Sequence, residues 1–105
     1  MGNESSQSQM DKTLWNMKFT SKQMASESRK CEKKQREEES KCLKAQAAGT
    51  TDIAKVYASN AIREKTQALN LLRMAARIEA VSARVESAMR MKQVRPSSRL
   101  LSHER

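Results

Sequence analysis

The sequence has few residues that break helices and few that fill thick cores. Its 105 residues include only two glycines, one proline, one histidine and three aromatic residues, and hydrophobic residues make up 37% of the chain. So few large apolar side chains cannot fill the core of a sheet-based globular domain. Helix-favouring residues such as Ala, Lys, Glu, Gln, Arg and Met dominate instead, which predicts an all-α chain.

Further absences exclude whole classes of function. The sequence contains no Gly-rich phosphate loop, no Cys/His cluster and no run of 18 apolar residues. We therefore expect no enzyme activity, no cofactor, no bound metal and no membrane span. Cys31 and Cys42 are too far apart on one helix, about 16 Å, to form a disulfide with each other. We interpret them as reduced residues on a packing face, as is typical of a cytoplasmic protein.

The charge balance is strongly basic, with 21 Lys and Arg residues against 12 Asp and Glu residues and a net charge of +9. Such a surface attracts phosphate-rich partners, either anionic lipid headgroups or nucleic acid. The sequence has no groove-reading motif and no set of stacking aromatics among its charges, so no nucleic-acid partner is expected. A general basic coiled-coil adaptor remains an alternative.

Two long arms without glycine or proline flank one turn signal. Residues 10–48 predict one helix and residues 52–94 a second, because Pro96 disfavours helical backbone just before itself. Gly49 can take the left-handed conformation that closes the first helix. Two helices joined by so short a turn pack antiparallel, which predicts a long helical hairpin as the single domain, residues 10–94.

Both ends of the chain are predicted to be disordered, over residues 1–9 and residues 95–105. The first residues also match the loose pattern for N-terminal myristoylation, with Gly2 as the acceptor. The alternative is a plain polar start without a lipid.

Small and sulfur-containing residues at alternating steps of three and four predict the face where the two arms meet. Alanine recurs every seven residues on the second arm, and small side chains let a neighbouring helix approach closely. Folding about Gly49 brings larger residues of the first helix against small residues of the second. The predicted hairpin seam contains Leu14, Met17, Met24, Cys31, Cys42, Ala58, Ala61, Ala68 and Ala75.

A second apolar row on the second helix follows the same three-four spacing. We call it the apolar stripe, and it consists of Leu71, Met74, Ile78, Val81 and Val85. One hairpin cannot cover both rows, so we interpret the stripe as an assembly site for a further helix or another subunit. The alternative is that both rows form one broad face against a single partner.

Five basic residues of the first helix lie in a broad band displaced from the seam. We call them the basic band, and they are Lys18, Lys22, Arg29, Lys33 and Arg36. A rod with one positive side can lie along an anionic membrane, where each Lys or Arg contributes about 1 kcal/mol. Self-assembly would multiply such weak contacts into strong avidity. The competing interpretation is an ordinary solvated face.

Several stretches of the sequence resemble the type-1 charged multivesicular body proteins, a branch of the ESCRT-III family. The stretches are Leu14–Lys22, Lys30–Lys33, Ile53–Lys65, Asn70–Arg77 and Ala80–Val85, and the resemblance extends over about residues 11–92.

The resemblance implies a subunit that switches from a closed form to an open form and polymerises on anionic membranes. It implies roles in multivesicular body sorting, vacuolar and endosomal transport and membrane scission, together with other ESCRT-III subunits. The implied location is cytoplasmic and peripheral, on endosomal or multivesicular body membranes, with the nucleus as a further site.

The chain departs from the family from about residue 93 onward. The later helices and the C-terminal motif that recruits an ATPase have no counterpart here, so recruitment of the ATPase is not expected. Because the later helices restrain assembly in the closed form, we expect this chain to be open and prone to assembly. An alternative function is a truncated regulatory variant that caps or poisons the assembly of longer subunits.

Overall fold

The computed structural model describes the backbone of residues 2–103 and the side chains of residues 6–92. Over that range it consists of two long α-helices, α1 (Gly2–Ala47) and α2 (Thr51–His103), and has no strand. The helices pack antiparallel into a body that measures 82 × 29 × 13 Å. The predicted all-α hairpin is confirmed.

The helices extend further at their outer ends than the sequence pattern predicts. The turn lies where Gly49 predicts it, whereas α1 begins at Gly2 and α2 continues past Pro96 to His103. Proline has a helical φ angle, so it removes one backbone hydrogen bond without necessarily ending a helix. The predicted disorder of residues 1–9 and 95–105 stays a prediction.

The turn closes α1 with two backbone hydrogen bonds. Gly49 has a φ angle of 82°, and its N–H donates to the carbonyl of Gln46 at 3.0 Å. The N–H of Thr50 donates to the carbonyl of Ala45 at 2.9 Å, and the Thr50 hydroxyl donates to the same oxygen at 3.0 Å. This pair of crossed bonds is the Schellman arrangement, in which glycine is the favoured left-handed residue. The carbonyl of Thr50 in turn accepts from Ala54 and starts α2.

The interface between the helices consists of small side chains. On α2 the buried residues recur every seven positions, as the helical repeat of two packed helices requires. They are Ala54, Ala61, Ala68, Ala75 and Ser82, and the buried residues of α1 are Ser21, Ser28, Cys31 and Ala45. We call these nine residues the small-residue seam.

Serine hydroxyls of α1 reach the backbone of α2, which shows how closely the helices approach. Ser28 Oγ donates to the carbonyl of Ala68 at 2.7 Å. Ser21 Oγ contacts the carbonyl of Ala75 at 3.2 Å and the Glu79 carboxylate at 3.1 Å. Each such hydrogen bond contributes about 1 kcal/mol net.

Large apolar side chains lie outside this seam, because two helices in such close contact leave no room for them. Those exposed are Trp15, Phe19, Leu43, Ile53, Val56, Ile62, Leu69, Leu72, Met74, Val81 and Met91. Within the described residues, neither helix contains an apolar segment long enough to traverse a lipid bilayer.

Candidate membrane and assembly surfaces

The structure buries the residues of the predicted hairpin seam to different degrees. Cys31, Ala61, Ala68 and Ala75 are buried, and Leu14, Met17, Met24, Cys42 and Ala58 are half-buried.

The apolar stripe straddles the edge of the helix interface. Leu71, Ile78 and Val85 are half-buried against α1, while Met74 and Val81 remain 45% and 43% exposed. Within the stripe, only these two side chains are exposed. Part of the stripe therefore serves the hairpin itself.

Four shallow grooves lie along one side of the hairpin, between the two helices. The largest has a volume of about 390 Å³, lies near the turn, and is lined in part by Leu43 and Ile62. Three others, of 220–270 Å³, follow toward the outer end. Their exposed residues come one position after a buried or half-buried residue, as Ile62 follows Ala61 and Lys22 follows Ser21. Such positions share one side of a helix, which we call the grooved side.

The basic band forms the α1 rim of this grooved side. All five of its residues are exposed. Lys22, Arg29 and Arg36 recur every seven residues, so their Cα atoms are about 10.5 Å apart along the helix. Lys18 precedes Lys22 by one turn and Lys33 follows Arg29 by one turn, which makes the band continuous.

Two basic residues of α2 join the same side, and sequence reasoning missed them. Lys65 lines a groove together with Arg36, and Arg90 lines another with Lys18 and Lys22. The antiparallel register about Gly49 was the available signal, because it places residues near 65 opposite Arg36.

The grooves themselves also contain acidic side chains. Glu32, Glu39, Glu79 and Glu86 line them. The five residues of the basic band together with Lys65 and Arg90 outnumber these four glutamates, so the grooved side has an excess of positive charge.

One basic residue of the band is already paired within the hairpin. The ammonium group of Lys18 forms an ion pair with the Glu86 carboxylate, and Arg90 approaches the same carboxylate at 4.0 Å. The hydrogen bond and the charge of Lys18 lower the pKa of Glu86 below its ordinary value of 4.5. The pair therefore stabilises the hairpin above that pH, and this contribution is lost as the pH falls through the lowered pKa.

Behind this ion pair lies a buried hydroxyl without a partner. Ser82 is 3% exposed, and its Oγ makes no hydrogen bond within the described residues. Burying an unpaired polar group is unfavourable by about 1–3 kcal/mol. The outer part of the seam is therefore held less well than the part around Ser21 and Ser28.

An exposed aromatic pair lies at the start of the basic band. Trp15 and Phe19 are 64% and 51% exposed, and their rings stack with centroids 5.4 Å apart and planes 9° apart. Their spacing of four residues was the signal in the sequence, since such residues are neighbours on a helix.

The two cysteines are free thiols in different surroundings. Cys31 is buried, and burial together with the neighbouring Glu64 carboxylate raises the pKa of its thiol. Cys42 is half-buried beside the largest groove. Within the described residues, no three His, Cys, Asp or Glu side chains cluster closely enough to hold a metal ion. Gly2, the predicted acylation acceptor, is the first residue of α1 and lies outside the described side chains.

Comparison with models of protein families gives no match. Among curated proteins, charged multivesicular body protein 1 of Dictyostelium discoideum is 51% identical over 85 residues, which cover 81% of this chain and 44% of that protein. Charged multivesicular body protein 1a of Danio rerio is 47% identical over 85 residues, 81% of this chain and 43% of that protein. Charged multivesicular body protein 1b of Homo sapiens is 45% identical over 76 residues, 72% and 38% respectively.

The chain spans about two fifths of the length of the curated relatives it matches. Identity of this degree over most of the chain confirms the resemblance seen in the sequence.

Proposed function

Because this chain belongs to the type-1 charged multivesicular body proteins of the ESCRT-III family, we propose that it is a membrane-remodelling scaffold subunit. It binds anionic membranes and co-assembles with other ESCRT-III subunits in multivesicular body sorting, endosomal transport and membrane scission. It acts through binding and assembly rather than catalysis, as a peripheral protein on the cytoplasmic face of endosomal membranes.

The observation that carries this proposal is the basic rim of the grooved side. Lys22, Arg29 and Arg36 are exposed in one row, so a rod-shaped hairpin can bring all three to a flat anionic surface at once. At about 1 kcal/mol each, three such contacts bind weakly in one subunit and strongly in a polymer.

The apolar stripe supports the assembly part of the proposal. Its two exposed residues, Met74 and Val81, each come one position before a buried residue, Ala75 and Ser82. That position lies on the opposite side of α2 from the grooved side. A hairpin bound to a membrane through its rim therefore keeps these side chains available to a neighbouring subunit.

Vesicle flotation with charge-matched variants tests the membrane claim. The test variant carries Lys22→Gln, Arg29→Gln and Arg36→Gln, and the control carries Lys12→Gln, Lys30→Gln and Lys34→Gln. The control residues are also exposed residues of α1 but lie away from the rim. We expect the test variant to lose about 100-fold in affinity for phosphatidylserine vesicles, from three contacts of about 1 kcal/mol, and the control far less.

Three further outcomes complete this experiment. Binding of the unchanged chain should rise with the anionic lipid fraction and fall with salt. Equal losses in both triple variants would show that net charge alone matters and would contradict the role of the rim. Absence of binding to anionic vesicles at low salt, with binding to duplex DNA instead, would favour the basic adaptor.

A further inference from the structure

The outer end of the hairpin, far from the turn, has no fully buried side chain among the described residues. We define it as residues 6–20 of α1 and residues 83–92 of α2. No described residue of α1 before Ser21 is buried, and none of α2 after Ser82 is buried. Apolar side chains there, such as Leu14, Met17, Val85 and Met89, are only half-buried, so this end excludes water less completely than the small-residue seam.

The Lys18–Glu86 ion pair is the outermost polar link between the two helices among the described side chains. Hydrogen bonds that cross between the helices occur further in, at Ser21, Ser28 and Glu38. The side chains of Lys18 and Glu86 are 53% and 33% exposed. An ion pair with this exposure contributes little to stability and can be exchanged for another partner.

Ser82 makes closure of the outer end less favourable. Its hydroxyl is buried without a hydrogen bond just inside the ion pair. When the outer ends separate, water reaches this hydroxyl and satisfies it. Opening therefore regains a hydrogen bond that the closed hairpin lacks.

Lys18 has two competing uses. It is the partner of Glu86, and it lies one helical turn from Lys22 in the basic band. A surface that attracts Lys22 through phosphate oxygens also attracts the ammonium group of Lys18, at a much higher local phosphate concentration than free solution offers.

We propose that the Lys18–Glu86 ion pair is a latch on the outer end of the hairpin, which a phosphate-bearing membrane opens by taking Lys18 away from Glu86. This inference rests on the proposed membrane binding. Opening adds the half-buried Leu14 and Met17 to the exposed Trp15–Phe19 pair, so α1 presents a larger apolar surface once the hairpin is on the membrane.

Hydrogen exchange of the chain in solution tests the latch without any membrane. Glu86→Gln should speed exchange in residues 6–20 and 83–92 by about 1.5-fold to fivefold, the range expected for an exposed ion pair, and leave the inner part of the seam unchanged. Glu79→Gln is the matched control, because it removes the same charge from the same groove and keeps an oxygen for Ser21. Equal exchange in both variants would overturn the latch.

Membrane binding supplies the second readout. Glu86→Gln should bind phosphatidylserine vesicles more tightly than Glu79→Gln, by about the same factor as the exchange effect. Adding Lys18→Gln to both variants should abolish that difference. Exchange of residues 83–92 should rise on anionic vesicles but not in inorganic phosphate at equal ionic strength. The same rise in inorganic phosphate would contradict the proposal that a membrane opens the latch.

The latch and the proposed function fail in distinguishable ways. One outcome is that the unchanged chain does not bind anionic vesicles while Glu86→Gln still speeds exchange at the outer end. The proposed membrane function would then be wrong, and the ion pair would only stabilise the hairpin. The other outcome is that the chain binds vesicles but Glu86→Gln and Glu79→Gln show equal exchange and equal vesicle affinity. The latch would then be wrong, and the proposed membrane function would be unaffected.

Discussion

Three serines are buried in the small-residue seam, and their hydroxyl groups differ in what they contact. Ser21 and Ser28 donate to backbone carbonyls of α2, whereas the Ser82 hydroxyl has no partner within the described residues. Serine is short enough to lie between closely packed helices, but it stabilises them only when its hydroxyl finds an acceptor. The same side chain therefore stabilises the hairpin at Ser21 and Ser28 and destabilises it at Ser82.

Substitution of these serines by alanine should separate the two roles. Both Ser82→Ala and Ser28→Ala gain helix propensity, so the difference between them reports the hydrogen bond. We expect Ser82→Ala to raise the free energy of unfolding by about 1 kcal/mol, because an unsatisfied buried hydroxyl is removed. Ser28→Ala should be less stable than Ser82→Ala by about 1–2 kcal/mol. Urea unfolding followed by circular dichroism measures both, and equal values would contradict this account of Ser82.

At the scale of the helices, the seven-residue alanine repeat of α2 sets how close α1 can come. Ala54, Ala61, Ala68 and Ala75 are each no more than 6% exposed. Their spacing was readable from the sequence, because a repeat of seven keeps residues on one face of a packed helix. Gly49 was equally readable, since its position between two uninterrupted arms marks the turn.

The partners of that repeat on α1 were harder to predict. The sequence pattern predicts Leu14, Met17 and Met24 in the seam, and Ser21 and Ser28 are not among the predicted residues. In the structure Ser21 and Ser28 are fully buried, whereas Leu14, Met17 and Met24 are half-buried. Only the separation of the helices decides this, and a sequence pattern does not contain that distance.

A larger side chain in the seam should force the helices apart. Ala68→Leu should lower the free energy of unfolding by about 1–3 kcal/mol, because the added carbons have no space. Ala76→Leu makes the same chemical change at an exposed position of α2 and should be nearly neutral. Thermal unfolding of the two variants compares them. A tolerated Ala68→Leu would mean that the helices do not pack as closely as the Ser28–Ala68 contact indicates.

At the scale of the whole molecule, the hairpin separates two surfaces. The basic rim lies on the grooved side, and Met74 and Val81 of the apolar stripe lie on the other. The basic band itself was predictable from the spacing of Lys22, Arg29 and Arg36. The sequence alone does not predict that Lys65 and Arg90 join the grooved side, or that Lys18 pairs with Glu86. Both depend on the register of the two helices and on the orientation of their side chains.

The whole account depends on two helices held side by side along the small-residue seam. Small-angle X-ray scattering of the chain at low concentration, with chromatography to isolate the monomer, measures this directly. We expect a radius of gyration near the 23.7 Å of the hairpin. A single continuous helical rod of this chain would be about 150 Å long and give a radius of gyration above about 40 Å. A value in that higher range for the monomer would contradict the hairpin, and with it the placement of both surfaces.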